Sequence, residues 1–276
     1  MAQSYIKRIL NAQVYDVARE TPLDAAPLLS ARLGNQAFLK REDLQPVFSF
    51  KCRGAYNKMV HLDEAARAGG VVAASAGNHA QGVALAASKL GIKATIVMPV
   101  TTPLIKVDAV KALGAKVVMH GDSFDEAAVR ARALTESEGF TFIHPFDDPD
   151  VIAGQGTVAV ELVRQAQQPL DYVFVCCGGG GLLAGMAAYL RYVWPQTRII
   201  GVEPEDAACV QAALDGHILS SPFRLPGVLL LTGELHPDRT TNRLGQQHGV
   251  SAHVVGAVAT IAARRFHTSN SDDTLI

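Results

Sequence analysis

Six short, largely apolar runs, residues 37–40, 71–74, 94–98, 116–119, 172–176 and 198–202, recur along the chain, separated by longer segments of helical period. A strand with one face in water alternates polar and apolar side chains, whereas a strand covered on both faces does not. Apolar runs alternating with helical segments, here 50–61, 78–90, 102–113, 124–137, 150–167 and 182–191, are the pattern of parallel strands joined by crossover helices. The predicted class is therefore α/β. Gly91 and Gly114 stand where helices would stop, and Pro103 where a first-turn proline is tolerated. Residues 71–119 read as strand, helix, strand, helix, strand, which predicts a small subdomain; 150–202 is expected to build a second sheet with the N-terminal part.

With 276 residues, 49% hydrophobic and 18% charged, the chain can bury a large core in one domain or two. A net charge of -1 without long charge runs gives no electrostatic footprint for nucleic acid or an anionic membrane, so a small-molecule partner is expected. No apolar stretch reaches the ~18 residues of a membrane span. Residues 1–10 carry Lys7 and Arg8 and no apolar leader core, so a cytoplasmic location is expected. Cys52, Cys176, Cys177 and Cys209 form no C-x-x-C pair and have no histidine at ligand spacing, which argues against zinc or a disulfide framework and for thiols packed as small hydrophobes. From Ser221 onward Pro, Arg, His and Thr are scattered without sustained period. Five of the nine histidines, His217, His236, His248, His253 and His267, fall at or beyond Gly216, and only 227–231 and 254–263 look able to form regular elements.

Three constellations can carry chemistry. In Ser49-Phe50-Lys51-Cys52-Arg53-Gly54-Ala55 a lysine opens a predicted helix, where the macrodipole disfavours a cation. Desolvation and neighbouring positive charge would favour its neutral amine, the form that attacks an aldehyde; the alternative is a solvated surface lysine. Ser75-Ala76-Gly77-Asn78-His79 joins a buried strand to a helix. Its backbone N–H groups suit a carboxylate and Asn78 can bond a ring substituent, or the segment is an ordinary helix cap. In Cys177-Gly178-Gly179-Gly180-Gly181-Leu182, four glycines cost too much chain entropy for a mere turn and suit a phosphate held at a helix start. Gly179-x-Gly181-x-x-Ala184 with Glu203 after the next strand also fits the loose dinucleotide fingerprint, which keeps a nicotinamide-dependent oxidoreductase open.

Taken in order, these loops resemble the fold-type II enzymes that use pyridoxal 5'-phosphate, and within them the threonine dehydratases (threonine ammonia-lyases). The resemblance extends through Lys40-Arg41-Glu42-Asp43-Leu44-Gln45-Pro46, Arg53-Gly54-Ala55-Tyr56-Asn57, Ser75 to Ala84, Ile105-Lys106-Val107-Asp108-Ala109-Val110 and Val151-Ile152-Ala153-Gly154-Gln155-Gly156-Thr157, and covers about residues 5–216. It implies two open, mostly parallel sheets flanked by helices, as in the tryptophan synthase β fold. Residues 1–50 and 138–220 would then form a discontinuous cofactor-binding domain, 51–137 a small substrate-loop domain and 221–276 an atypical tail.

The same resemblance implies that Lys51 bonds the cofactor aldehyde and is the catalytic base. Phe50 would pack beside the cofactor ring, Asn78 hold its 3-hydroxyl, and Gly178, Gly179, Gly180, Gly181 and Leu182 wrap its phosphate. Ser75, Ala76, Gly77, Asn78 and His79 would grip the substrate carboxylate. The implied reaction turns L-threonine into 2-oxobutanoate and ammonia, with some L-serine going to pyruvate, as the first step of isoleucine biosynthesis in a homo-oligomer. Serine racemases resemble this family but carry serine where this chain has Ala76, so elimination is expected over racemisation. Glu203 matches the first ligand of their metal site, yet Cys209 stands in place of an aspartate, and no metal is expected.

Three departures stand out. Phe48 replaces a histidine, Cys52 replaces a leucine, and no serine for the pyridine nitrogen is recognisable after about Ser221. The tail is accordingly expected not to complete the large domain. A catalytically impaired remnant that binds the cofactor or a partner subunit is the alternative reading.

Overall fold

A computed structural model describes residues 2–204, 208–214, 228–233 and 259–264. The chain first forms an antiparallel pair, β1 (Leu23–Ala25) and β2 (Gln36–Arg41), then β3 (Val71–Ala74), β4 (Ala94–Met98), β5 (Lys116–Met119) and β6 (Thr141–Phe142). After these come β7 (Tyr172–Cys176), β8 (Arg198–Pro204), β9 (Val228–Gly233) and β10 (Ala259–Arg264). Strands β3 to β6 make a wholly parallel sheet ordered β5-β4-β3-β6, and the remaining six make a sheet ordered β1-β2-β10-β7-β8-β9. The second sheet is parallel from β7 to β9, while β10 runs antiparallel to both β2 and β7. Every residue of β3 and β4 is buried, which is why their sequences show no alternation. The tail stretches 227–231 and 254–263 overlap β9 and β10, and the other residues of 221–276 lie outside the described ones.

The helices are α1 (Ala2–Leu10), α2 (Pro27–Leu33), α3 (Lys51–Val60), α4 (Glu64–Gly69), α5 (Asn78–Leu90), α6 (Leu104–Ala112), α7 (Phe124–Glu138), α8 (Pro149–Gln165), α9 (Gly181–Val193) and α10 (Cys209–Leu214). Their ends follow local chemistry. Ser123 and Glu126 close a capping box at the start of α7, and Gly91 ends α5 at φ 67°. Pro103 sits one residue before α6, at its cap.

The two sheets have separate apolar cores, one including Cys52, Val71 and Ile96, the other including Phe50, Val173 and Leu183. Phe50 belongs to one core and Cys52 to the other, so Lys51 stands on the seam between them. Helix α3 packs against both α5 and α8. At the α3–α8 crossing a Cβ on Gly154 would lie 2.7 Å from the Arg53 carbonyl oxygen and 2.7 Å from the Gly54 Cα, so only glycine permits the contact.

Behind Lys51 lies a fully buried ionic cluster of Lys40, Glu42, Arg53 and Glu161. Arg53 donates from Nε to Glu42 at 2.8 Å and from Nη1 to Glu161 at 2.6 Å, and Lys40 Nζ donates to the other Glu161 oxygen at 2.6 Å. Two cations facing two carboxylates leave no net buried charge, the condition under which such burial is tolerated. The cluster binds β2, α3 and α8 into one frame.

Candidate active site

Lys51 is the first residue of α3, after Phe50 at the cap, with no side-chain cap to anchor the start. Its side chain is partly open to solvent, but the amine is desolvated enough that its pKa is pushed down to about 8. The Cys176 thiol opposes that shift slightly, which places Lys51 against the last residue of β7. The amine donates to the Pro145 carbonyl at 2.5 Å and lies 5.6 Å from the Phe50 ring centroid. Phe50 itself is buried. The depression comes from desolvation, one of the two causes expected from the sequence; neighbouring positive charge contributes none of it.

The 75–79 loop reaches Lys51 because α5 packs on α3 through Gly82, where a Cβ would stand 3.0 Å from the Lys51 carbonyl carbon and oxygen. Ser75 Oγ accepts from the Gly77 N–H at 3.2 Å, and Gly77 caps α5 with open space where its Cβ would be. Ser75, Ala76, Gly77 and Asn78 are half-buried. His79 is buried, and its Nε2 faces the Ile143 carbonyl at 2.9 Å. Desolvation first, and the Lys51 charge second, hold its pKa down to about 3, so the ring is neutral and its Nε2 donates. Its buried Nδ1 has no hydrogen-bond partner among the described residues.

The glycine run connects β7 to α9. Gly178 and Gly179 are exposed, and a Cβ on Gly178 would meet nothing within 4 Å. Gly180 caps the 13-residue α9 at φ 85°, a left-handed conformation, while Leu182 is buried in the large-sheet core. The run thus exposes peptide groups at Gly178 and Gly179 ahead of a helix start, two residues beyond Cys176, which faces Lys51. Glu203 is buried, and its carboxylate accepts from the backbone N–H groups of Val210 and Gln211 at 2.9 Å each. A carboxylate committed to the first turn of α10 is not presented to a ribose, which removes the acidic partner of the dinucleotide fingerprint. Among the described residues no group of three His, Cys, Asp or Glu side chains could hold a metal; the Cys209 side chain lies outside them. No helix among the described residues is long and apolar enough to cross a membrane.

Sequence reasoning missed the segment between β6 and α8. Pro145 supplies the acceptor for Lys51, and the Phe146 ring fills the place a Cβ on Gly179 would take. A backbone carbonyl leaves no mark in residue type, and the only hint was a proline flanked by aromatic rings at His144 and Phe146.

A model of the family described as pyridoxal-phosphate dependent enzyme matches residues 14–266. The chain is 61% identical over 213 residues to "Threonine dehydratase biosynthetic, chloroplastic" of Arabidopsis thaliana, covering 77% of this chain and 36% of that protein. Among solved structures it is similar to the processed form of threonine deaminase isoform 2 from Solanum lycopersicum, with TM-score 0.77, 45% identity, and 84% of this chain and 74% of that one covered. Maize serine racemase is similar at TM-score 0.75 and 31% identity, with 82% and 76% covered. The chain spans less than half the length of the curated relatives it matches.

Proposed function

The chain belongs to the pyridoxal-phosphate-dependent enzyme family, and from that premise we propose that it dehydrates and deaminates L-threonine to 2-oxobutanoate and ammonia, accepting L-serine to a lesser extent. The observation that carries the proposal is the Lys51 amine, held with its pKa at about 8 on the seam of two cores, against the end of the strand from which the glycine run leads into α9.

These residues fit pyridoxal 5'-phosphate. The space off Gly178 and the peptide N–H groups of Gly178, Gly179, Gly180, Gly181 and Leu182 at the start of α9 suit a phosphate. The desolvated Lys51 amine suits an aldehyde, with Phe50 beside the ring and Asn78 at the 3-hydroxyl. When bound, the cofactor supplies a sink for the electron pair left when the substrate's α hydrogen is removed.

The chain's own groups supply the rest. Residues 75–79 bind the substrate carboxylate through backbone N–H groups at the start of α5. Lys51, once free of the cofactor, takes the α proton from one face. Ala76 has no group that can return a proton on the opposite face, so loss of the β-hydroxyl prevails over inversion. Because one methyl group supplies only about 1 to 3 kcal/mol of discrimination, serine is turned over as well.

The homo-oligomer proposed with this activity has support in Leu104 and Ile105, the first two residues of α6, which stand 76% and 79% exposed, and in Val100 ahead of that helix, 53% exposed.

The test is purification with pyridoxal 5'-phosphate, an absorbance spectrum, and a ketoacid assay on L-threonine, L-serine and D-serine. The expected result is a band of lysine-bound cofactor that Lys51→Ala abolishes, ketoacid release from threonine above serine, and no D-serine formed from L-serine. Cofactor binding without ketoacid release would assign the chain to the impaired reading, and appreciable D-serine would overturn the role of Ala76.

A further inference from the structure

The chain leaves the small sheet at β6 and enters α8 through residues 143–148, and this strip is pinned at both ends. Ile143 is fully buried and its carbonyl faces His79 Nε2. Asp148 caps α8 by accepting from the N–H groups of Asp150 and Val151 at 2.8 and 3.2 Å. Between the ends, His144 Nδ1 accepts from the N–H of Asp147 at 2.7 Å and of Phe146 at 3.3 Å. An Nδ1 that accepts twice leaves the ring proton on Nε2. Desolvation keeps the ring neutral by lowering its pKa, and the ring packs edge-on to Phe142 and Phe146 at 6.0 and 4.7 Å.

The turn closed by these two bonds touches both halves of the site. Pro145 has no N–H and a fixed φ, so its carbonyl direction is set by the turn. That carbonyl receives the Lys51 amine. A Cβ on Gly181 would come 2.7 Å from the Phe146 carbonyl oxygen, so the same turn backs the start of α9. A desolvated amine must find an acceptor inside the protein, and among the described residues Pro145 provides it.

We propose that His144 is a positioning residue for Lys51: by accepting the Phe146 and Asp147 N–H groups it fixes the turn whose Pro145 carbonyl holds the amine whenever Lys51 is not bonded to the cofactor. The inference rests on the pyridoxal-phosphate reading above. It applies before the cofactor is loaded and again when a substrate has displaced Lys51.

The test compares His144→Asn, whose Oδ1 can accept where Nδ1 does, with His144→Gln, whose amide lies farther out, and with His144→Ala. Apoprotein is mixed with pyridoxal 5'-phosphate, the growth of the lysine-bound absorbance band gives the loading rate and Kd, and melting temperature monitors folding. Gln and Ala are expected to load slower and bind about tenfold more weakly, while Asn stays close to the wild type. Equal loading by all four proteins overturns the proposal, as does an Asn variant as impaired as Gln with its melting temperature unchanged. If His144→Ala does not fold, the Asn and Gln pair decides. If the wild type forms no band, the cofactor reading fails and takes this inference with it; a wild-type band with indifferent variants sinks the inference alone.

Discussion

Taking a lysine amine out of water penalises its charged form more than its neutral one, and Lys51 shows that penalty in a pKa of about 8. At about pH 7 roughly a tenth of such amines are neutral, and by about pH 9 most are. The neutral amine is the nucleophile, so the rate of cofactor loading is expected to rise with pH and level off above about 8. Stopped-flow absorbance at constant ionic strength measures it, and a rate that goes on rising steeply above about pH 9 would show that the amine is not desolvated. His79, at about 3, and His144, lowered by burial, are both already neutral over that range and add no step of their own. Lys51 was visible in the sequence because a cation at a helix start is an electrostatic anomaly that residue order alone reveals. Pro145 was not, since its contribution is a carbonyl that every residue owns.

At the scale of elements, β3, β4, β5 and β7 have the bounds predicted for them, and in β3 and β4 the reason is burial on both faces, which writes a continuous apolar run into the sequence. Elements without that signature escaped: β1 has three residues, partly exposed, and β6 has two. Residues 40–43 are a run of four charges in the sequence, yet Lys40 and Glu42 are fully buried with Arg53 and Glu161. Nothing local distinguishes a solvated charge from a buried one whose partner lies 121 residues away, as Lys40 and Glu161 do. This cluster joins β2, α3 and α8, so Arg53→Ala leaves two buried carboxylates sharing one lysine. It is expected to destabilise the fold by about 3 to 5 kcal/mol, measured by urea denaturation. A loss below about 1 kcal/mol would mean that the cluster is hydrated in solution.

At the scale of the whole molecule, the residues proposed to hold the cofactor come from both sides of the seam: Lys51 and Asn78 open helices that pack on each other, and the glycine run leads from the large sheet into α9. A ligand that binds only when these parts are assembled stabilises the assembly by mass action. Pyridoxal 5'-phosphate at about 100 times its Kd is expected to add about 2.7 kcal/mol and to raise the melting temperature by roughly 5 to 10 °C. Lys51→Ala should lose most of that rise. An equal rise in the variant would place the ligand elsewhere.

The chain passes from the large sheet to the small one between β2 and α3, and returns between β6 and α8. Lys51 ends the outward passage, and its amine rests on Pro145 in the return. Like the pin of a hinge, the amine stands where the two leaves meet: if one leaf swings, the nitrogen hardly travels.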